Sequence, residues 1–304
     1  MAAITSAPPG RTNRRPARRG RWTPYLLLLP GMLWLVVFFV VPTVSLASQS
    51  LQTGNIDDGY VLTWNVQIYA DAVKQYWPHF ARSIGYAASA TVLSLLLGYP
   101  LAYFMAQKAG RWKNVLLVLV IAPFFTNFLI RTLAWQIILT DTGSVAAFAR
   151  WSHLTTVLQW VGLTNNDQLM SSTFAVITGL TYNFLPFMVL PLYASLEKID
   201  YRLIEASSDL YASPIRGFFK VTWPLSMPGV VAGTLLTFIP SAGDYINAQL
   251  LGSPNQRMVG NVIQNLFTTS NDYAAAGALS MILMLIIVAM VLLYVRKSGT
   301  EELI

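Results

Sequence analysis

The sequence predicts an all-α integral membrane protein with six transmembrane helices, and three observations carry that expectation. Hydrophobic residues make up 55% of the 304-residue chain and charged residues only 11%, a balance far too apolar for a soluble domain of this size. Apolar stretches recur at about residues 25–49, 81–107, 113–139, 172–196, 227–251 and 273–295, each long enough to cross a hydrocarbon core of roughly 30 Å as a helix. Most of the 20 lysines and arginines fall in alternate connecting segments, the pattern that places those segments in the cytoplasm.

In chain order, residues 1–21 are rich in Ala, Pro, Gly and Arg and read as a disordered basic tail, with Arg11, Arg14, Arg15, Arg18, Arg19 and Arg21 as its cations. The apolar run that follows exceeds the roughly 7 to 15 residues of a secretory signal core, although Ser45-Leu46-Ala47 has the form of a cleavage site. Lys108, Arg111 and Lys113 mark the second cytoplasmic segment, Lys198, Arg202, Arg216 and Lys220 the third, and Arg296 and Lys297 the junction with the C-terminal tail of residues 297–304. Both termini are therefore expected inside, with residues 22–296 as one membrane domain. The net charge of +7 is explained by this bias and by contact of the tail with anionic lipid, so no nucleic-acid partner is needed. Between the third and fourth spans, residues 145–161 form an amphipathic run with Arg150, Ser152, His153 and Gln159 among its polar positions, expected to lie along the outer face.

Absences in the sequence bound the chemistry. Without cysteine there is no disulfide, thiolate metal site or thiol nucleophile. The two histidines, His79 and His153, are too far apart in sequence to suggest a metal cluster. No lysine follows a glycine, so the core of a phosphate-cradling loop is missing. A polytopic enzyme would need a cluster of acids, histidines or a nucleophile with its base, and none is evident. An ion-driven transporter or channel would account for intramembrane charge but not for the most distinctive segment of the chain.

That segment is the polar loop of residues 197–226. Glu197, Lys198, Asp200, Arg202, Glu205 and Asp209 keep it in water or against a polar partner. Asp200 can cap a first short helix, while Ser213 before Pro214 sets a capping hydroxyl and a proline at the start of a second. Leu203, Ala206 and Leu210 recur at helical spacing and leave an apolar side suited to a groove on another protein.

Glu205-Ala206-Ser207, Asp209-Leu210, Ala212-Ser213-Pro214 and Val221-Thr222-Trp223-Pro224-Leu225-Ser226-Met227-Pro228-Gly229 resemble the EAA loop of the permease subunits of binding-protein-dependent ABC importers. The resemblance implies a type I permease fold in which this loop forms a coupling helix seated in a cleft of an ATPase subunit. Leu203, Glu205, Ala206, Ser207, Asp209, Leu210, Ala212 and Pro214 would form that contact. It also implies a second homologous permease, two ATPase subunits that bind ATP and Mg, an extracytoplasmic solute-binding protein, and no cofactor or catalytic residue in this chain. Ser207 stands where a second alanine is usual. Tyr211 stands where the family prefers glycine, at a turn that asks for positive φ.

Residues 123–135, Gly243-Asp244-Tyr245 with Leu250-Leu251-Gly252, residues 260–265 and Gly277-Ala278-Leu279-Ser280 are similar to permeases of the spermidine/putrescine type, with Ala248 a departure where many relatives have proline. This branch implies a polyamine substrate, with other small solutes as the alternative. Arg131 and Asp244 are the two charges placed well within spans, at roughly 27 and 26 Å from their cytoplasmic ends, and must face the bundle interior. They either neutralise each other or leave Asp244 to meet a cationic amine beside Tyr245, Tyr182 and Trp135, with Asn183 lining the path. Pro240 with Gly243, and Pro186 with Pro191, mark places where the helices can yield.

Overall fold

The structure, a computed structural model, describes residues 23–55, 59–164, 168–209 and 211–298. The basic tail, the last six residues and Leu210 lie outside that range. The chain divides into two compact units between Leu46 and Ala47. The first contains α1 (Thr23–Leu35), with Pro30 inside it, followed by a π turn (Val36–Val40); α2 (Val41–Gln49) completes the apolar run Tyr25–Gln49.

The second unit opens with a short antiparallel hairpin, β1 (Gln52–Asn55) and β2 (Gly59–Leu62), in which Thr53 faces Val61. It then builds a helical bundle on α3 (Gln67–Gln107). That helix begins well before residue 81, because the polar turns carrying Asp71, Lys74 and His79 extend the same helix beyond the part apolar enough to register as a span. α4 (Lys113–Ile121), a 3-10 turn (Ala122–Phe125) and α5 (Phe128–Leu139) occupy the expected third span, but the two halves meet at 96°. The cause is local. Pro123 removes one bond of the helical ladder, and Asn127 starts a new helix by accepting from Leu129 N at 2.8 Å. Among the described residues, five helices are long and apolar enough to cross a membrane, with a sixth crossing if this bent pair counts as one.

α6 (Ser144–Trp151) and α7 (Leu154–Trp160) follow, joined through His153 in the left-handed region at φ 54°. They are amphipathic as expected: Ala146, Ala149 and Thr155 are buried, whereas Phe148, Trp151 and Trp160 are exposed. α8 (Thr173–Glu197), capped by Ser172, is the central helix and packs on α3 and on α11 (Trp223–Ala242). The α8–α11 crossing is close because Gly229 and Gly233 present no side chain there. A Cβ on Gly229 would meet Pro191 O at 2.7 Å and Ser195 Cβ at 2.6 Å, and one on Gly233 would meet Met188 O at 3.0 Å. Two small residues four apart are what a membrane helix needs for such an approach. Met105, Met188, Leu192 and Leu196 fill the core at one end of the bundle, and Leu139, Leu180, Leu251 and Met258 fill it at the other. α12 (Ile246–Leu251), α13 (Val259–Thr268) and α14 (Tyr273–Ser298) complete the unit.

Candidate functional site

The polar loop folds as two short helices. α9 (Tyr201–Asp209) starts at Asp200, whose Oδ1 accepts from Arg202 N at 3.0 Å. It closes where Ala212 N donates to Ser207 O at 3.1 Å across Tyr211, which holds φ 57°. Tyr211 thus occupies the left-handed position that ends a helix, the place usually given to glycine; its side chain is 97% exposed and clashes with nothing. α10 (Pro214–Gly217) is capped by Ser213 Oγ, which accepts from Arg216 N at 3.4 Å. It runs without interruption through a π turn (Phe218–Thr222) into α11, so the second loop helix is the first turn of the next span. Leu203, Glu205, Ala206, Asp209 and Pro214 are exposed; Ser207 and Ala212 are half-buried. Ser207 Oγ donates to Ile204 O at 2.7 Å. Beside the loop, Lys113 Nζ pairs with Glu197 Oε1 at 2.9 Å, tying the start of α4 to the end of α8.

The second candidate region lies at a helix break. α11 ends at Ala242 and α12 begins at Ile246, so Asp244 sits in a non-helical link rather than inside a continuous fifth span. Helix α11 passes through Pro240 and yields only at Gly243. Asp244 is 9% exposed and accepts from Asn247 N at 2.8 Å, which caps α12. Asn247 Oδ1 accepts from Asn183 Nδ2 at 3.0 Å, and the same Nδ2 lies 3.2 Å from Thr132 Oγ1. Asp244, Asn247, Asn183 and Thr132 therefore form one buried polar chain joining the break to α8 and α5. Asn183 Oδ1 and Asn247 Nδ2 remain buried with spare capacity.

Arg131 is not part of that chain. Among the described residues the only ion pair is Lys113 with Glu197, so the pairing of Arg131 with Asp244 that equal depth allowed is not formed. The 96° bend removes its premise, since residues counted along α4 and α5 no longer add up along one axis. The guanidinium carbon instead stands 5.5 Å from the Phe124 ring centre and 5.6 Å from that of Phe128, with Nε and Nη1 buried and without an acceptor. Trp135 and Tyr182 meet edge to face at 5.3 Å, and Tyr245 is 40% exposed. Pro186 and Pro191 lie inside an unbroken α8 and do not interrupt it.

Sequence reasoning missed Asn247, Thr132 and Asn261. The signal for Asn247 was present: an aspartate three residues before an apolar-run amide is a helix start.

A family model described as a binding-protein-dependent transport system inner membrane component matches residues 98–298. The spermidine/putrescine transport system permease protein PotB of Salmonella typhimurium is 36% identical over 267 residues, covering 87% of this chain and 90% of its own. PotB of Escherichia coli is 35% identical, covering 87% and 94%. The inner membrane ABC transporter permease protein YdcU of Escherichia coli is 26% identical, covering 91% and 90%. Among solved structures, a bacterial ABC transporter involved in the import of the acidic polysaccharide alginate superposes with TM-score 0.60 at 17% identity, covering 92% of this chain and 96% of that one; this likeness concerns the fold.

Proposed function

This chain belongs to the family of binding-protein-dependent transport system inner membrane components, and from that premise we propose that it forms half of the membrane pathway of a polyamine importer. As an ABC importer permease it is a multi-pass, non-catalytic transport subunit, and ATP is bound and hydrolysed by a separate ATPase. A second permease supplies the other half, a solute-binding protein delivers the cargo from outside, and both termini and the polar loop face the cytoplasm.

The observation that carries the polyamine reading is the buried Asp244 at the helix break, which accepts a bond from Asn247 yet has no cationic partner in range among the described residues. A carboxylate so placed, with spare amide capacity beside it, suits a primary ammonium better than any neutral solute. The names of the PotB relatives point to the same class. Asp244→Asn keeps size and helix cap while removing charge. In proteoliposomes holding permeases, ATPase and binding protein, import of radiolabelled spermidine is expected to fall by about tenfold or more, with the complex assembled in normal yield. Unchanged import, or loss of import and assembly together, would count against the reading.

A second reading is favoured by Arg131, whose two unpaired nitrogens could receive an anionic group of a different small solute. It predicts that Arg131→Gln damages transport more than Asp244→Asn does.

Coupling is assigned to α9. Leu203 and Glu205 are exposed at the loop surface, and α9 hangs directly from α8, the helix that carries Asn183. Replacing both with alanine should abolish ATP-driven uptake while leaving membrane insertion intact; uptake at the parent rate would refute the coupling role.

A further inference from the structure

The link Gly243–Tyr245 joins two helices without being helical. Each of its residues keeps two soft dihedrals, so outside groups must hold it in place. The holding groups come from the start of α13. A Cβ on Gly260 would meet the Gly243 carbonyl oxygen at 2.6 Å and the Asp244 carbonyl oxygen at 3.0 Å. Only a glycine lets α13 lie this close against the link. Next to it, Asn261 uses both ends of its amide. Its Oδ1 accepts from Met258 N at 3.0 Å, capping α13, and its Nδ2 donates to the Tyr245 carbonyl at 2.7 Å. That carbonyl also accepts from Gln249 N at 3.0 Å, in the first turn of α12. The start of α13 is in turn fixed to α3: Val259 N donates to the buried Ser83 Oγ at 2.8 Å, and Arg82 Nη1 donates to the Arg257 carbonyl at 2.7 Å. On its other side, α12 is held to α8 through Asn247 and Asn183.

We propose that Asn261 is the latch of the broken helix, a positioning residue that ties the Tyr245 carbonyl to the α3–α13 frame and so keeps the neighbouring Asp244 carboxylate aimed at its buried polar chain. The inference rests on the reading of Asp244 as a pathway residue. A carboxylate released from that orientation meets the solute less often per cycle, so ATP is spent without import. Ser83 and Gly260 serve the same frame from the α3 side and the α13 side.

Asn261→Asp isolates the contact. The carboxylate still accepts from Met258 N and caps α13, but it offers no N–H to the Tyr245 carbonyl and repels it. The test uses the reconstituted complex of permeases, ATPase and binding protein, with hydrogen exchange over residues 243–251 and spermidine imported per ATP hydrolysed as readouts. Exchange in that segment is expected to rise by about tenfold while residues 183–197 of α8 stay at the parent rate, and import per ATP should fall severalfold. Gly260→Ala should give the same local exchange pattern by pushing α13 off the link. Unchanged exchange over 243–251, a rise spread evenly over the whole chain, or faster local exchange with import per ATP at the parent value would each overturn the proposal. Should Asp244→Asn import spermidine normally, the substrate reading falls, and the local exchange of Asn261→Asp still decides the latch.

Discussion

Helix α8 and the α11–α12 passage carry similar punctuation: Pro186 and Pro191 in one, Pro228 and Pro240 in the other. Yet α8 runs unbroken for 25 residues, whereas the second passage stops at Ala242 and restarts at Ile246. Proline is therefore not what separates them. The difference is a side chain that accepts from a backbone N–H and so starts a new helix. Asp244 does this through Asn247 N, whereas Ser195, which follows Pro191 in α8 at the same four-residue spacing, makes no such bond and the helix runs on. The bent third span repeats the pattern, with Asn127 capping α5 just after Pro123. In α3, Pro78 and Pro100 are likewise passed without a break. A proline weakens one bond of the ladder, and neighbouring helices tolerate that loss; a polar cap gives the chain a competing place to begin again.

The largest test of this contrast concerns the packing that holds α8 straight. Gly229→Leu would drive a side chain into Pro191 O and the Leu192 backbone, atoms that cannot move without moving α8. The cost should be at least the roughly 1–3 kcal/mol typical of overpacking, seen as a clear fall of the thermal midpoint in detergent and loss of assembled complex. Retention of the parent midpoint would mean that the α8–α11 crossing is not what keeps α8 intact.

Smaller effects are expected at the two caps. Asp244→Ala and Asn127→Ala each remove a cap and should cost about 1 kcal/mol, while Asp244→Asn, which can still accept from Asn247 N, should lose much less stability. Thermal midpoints of the three variants measure this directly. If Asp244→Asn were as unstable as Asp244→Ala, charge rather than capping would be fixing the break.

The same contrast explains what the sequence made legible. Apolar length was enough to mark the spans, because it is summed over many residues and no single contact can reverse it. The polar loop was legible down to its caps, since Asp200, Ser213 and Pro214 act on their own neighbours in the chain. Tyr211 is at odds with its turn in the sequence, and the chain nonetheless holds positive φ there, at the local backbone cost of a non-glycine residue and with no added clash from its exposed ring. The spatial relation of Arg131 to Asp244 was not legible. It depended on both spans being straight, and each breaks at a local cap, Asn127 on Leu129 N and Asp244 on Asn247 N, that a reading by apolar length passes over because it sums across the break. The tie from Asn247 to Asn183, 64 residues apart in the chain, left no local trace at all.

The smallest expected effect sharpens the comparison most. Pro186→Ala in α8 restores an N–H that can donate to the Tyr182 carbonyl one turn back, a gain set by the helix preference for alanine over proline. It also removes ring atoms beside an apolar cavity of about 300 Å³ that Pro186 lines with Leu101, Leu116 and Tyr182, and enlarging such a space has a cost. The two effects oppose each other in a helix already continuous through this position, so the thermal midpoint should move by only a few degrees. Spermidine import should stay within about twofold of the parent, because a bond added to a helix that does not break changes no step in which it would have to yield. A severalfold loss of import at unchanged stability would show instead that α8 does yield at Pro186 during transport, and the distinction between capped and uncapped prolines would then describe only the resting state.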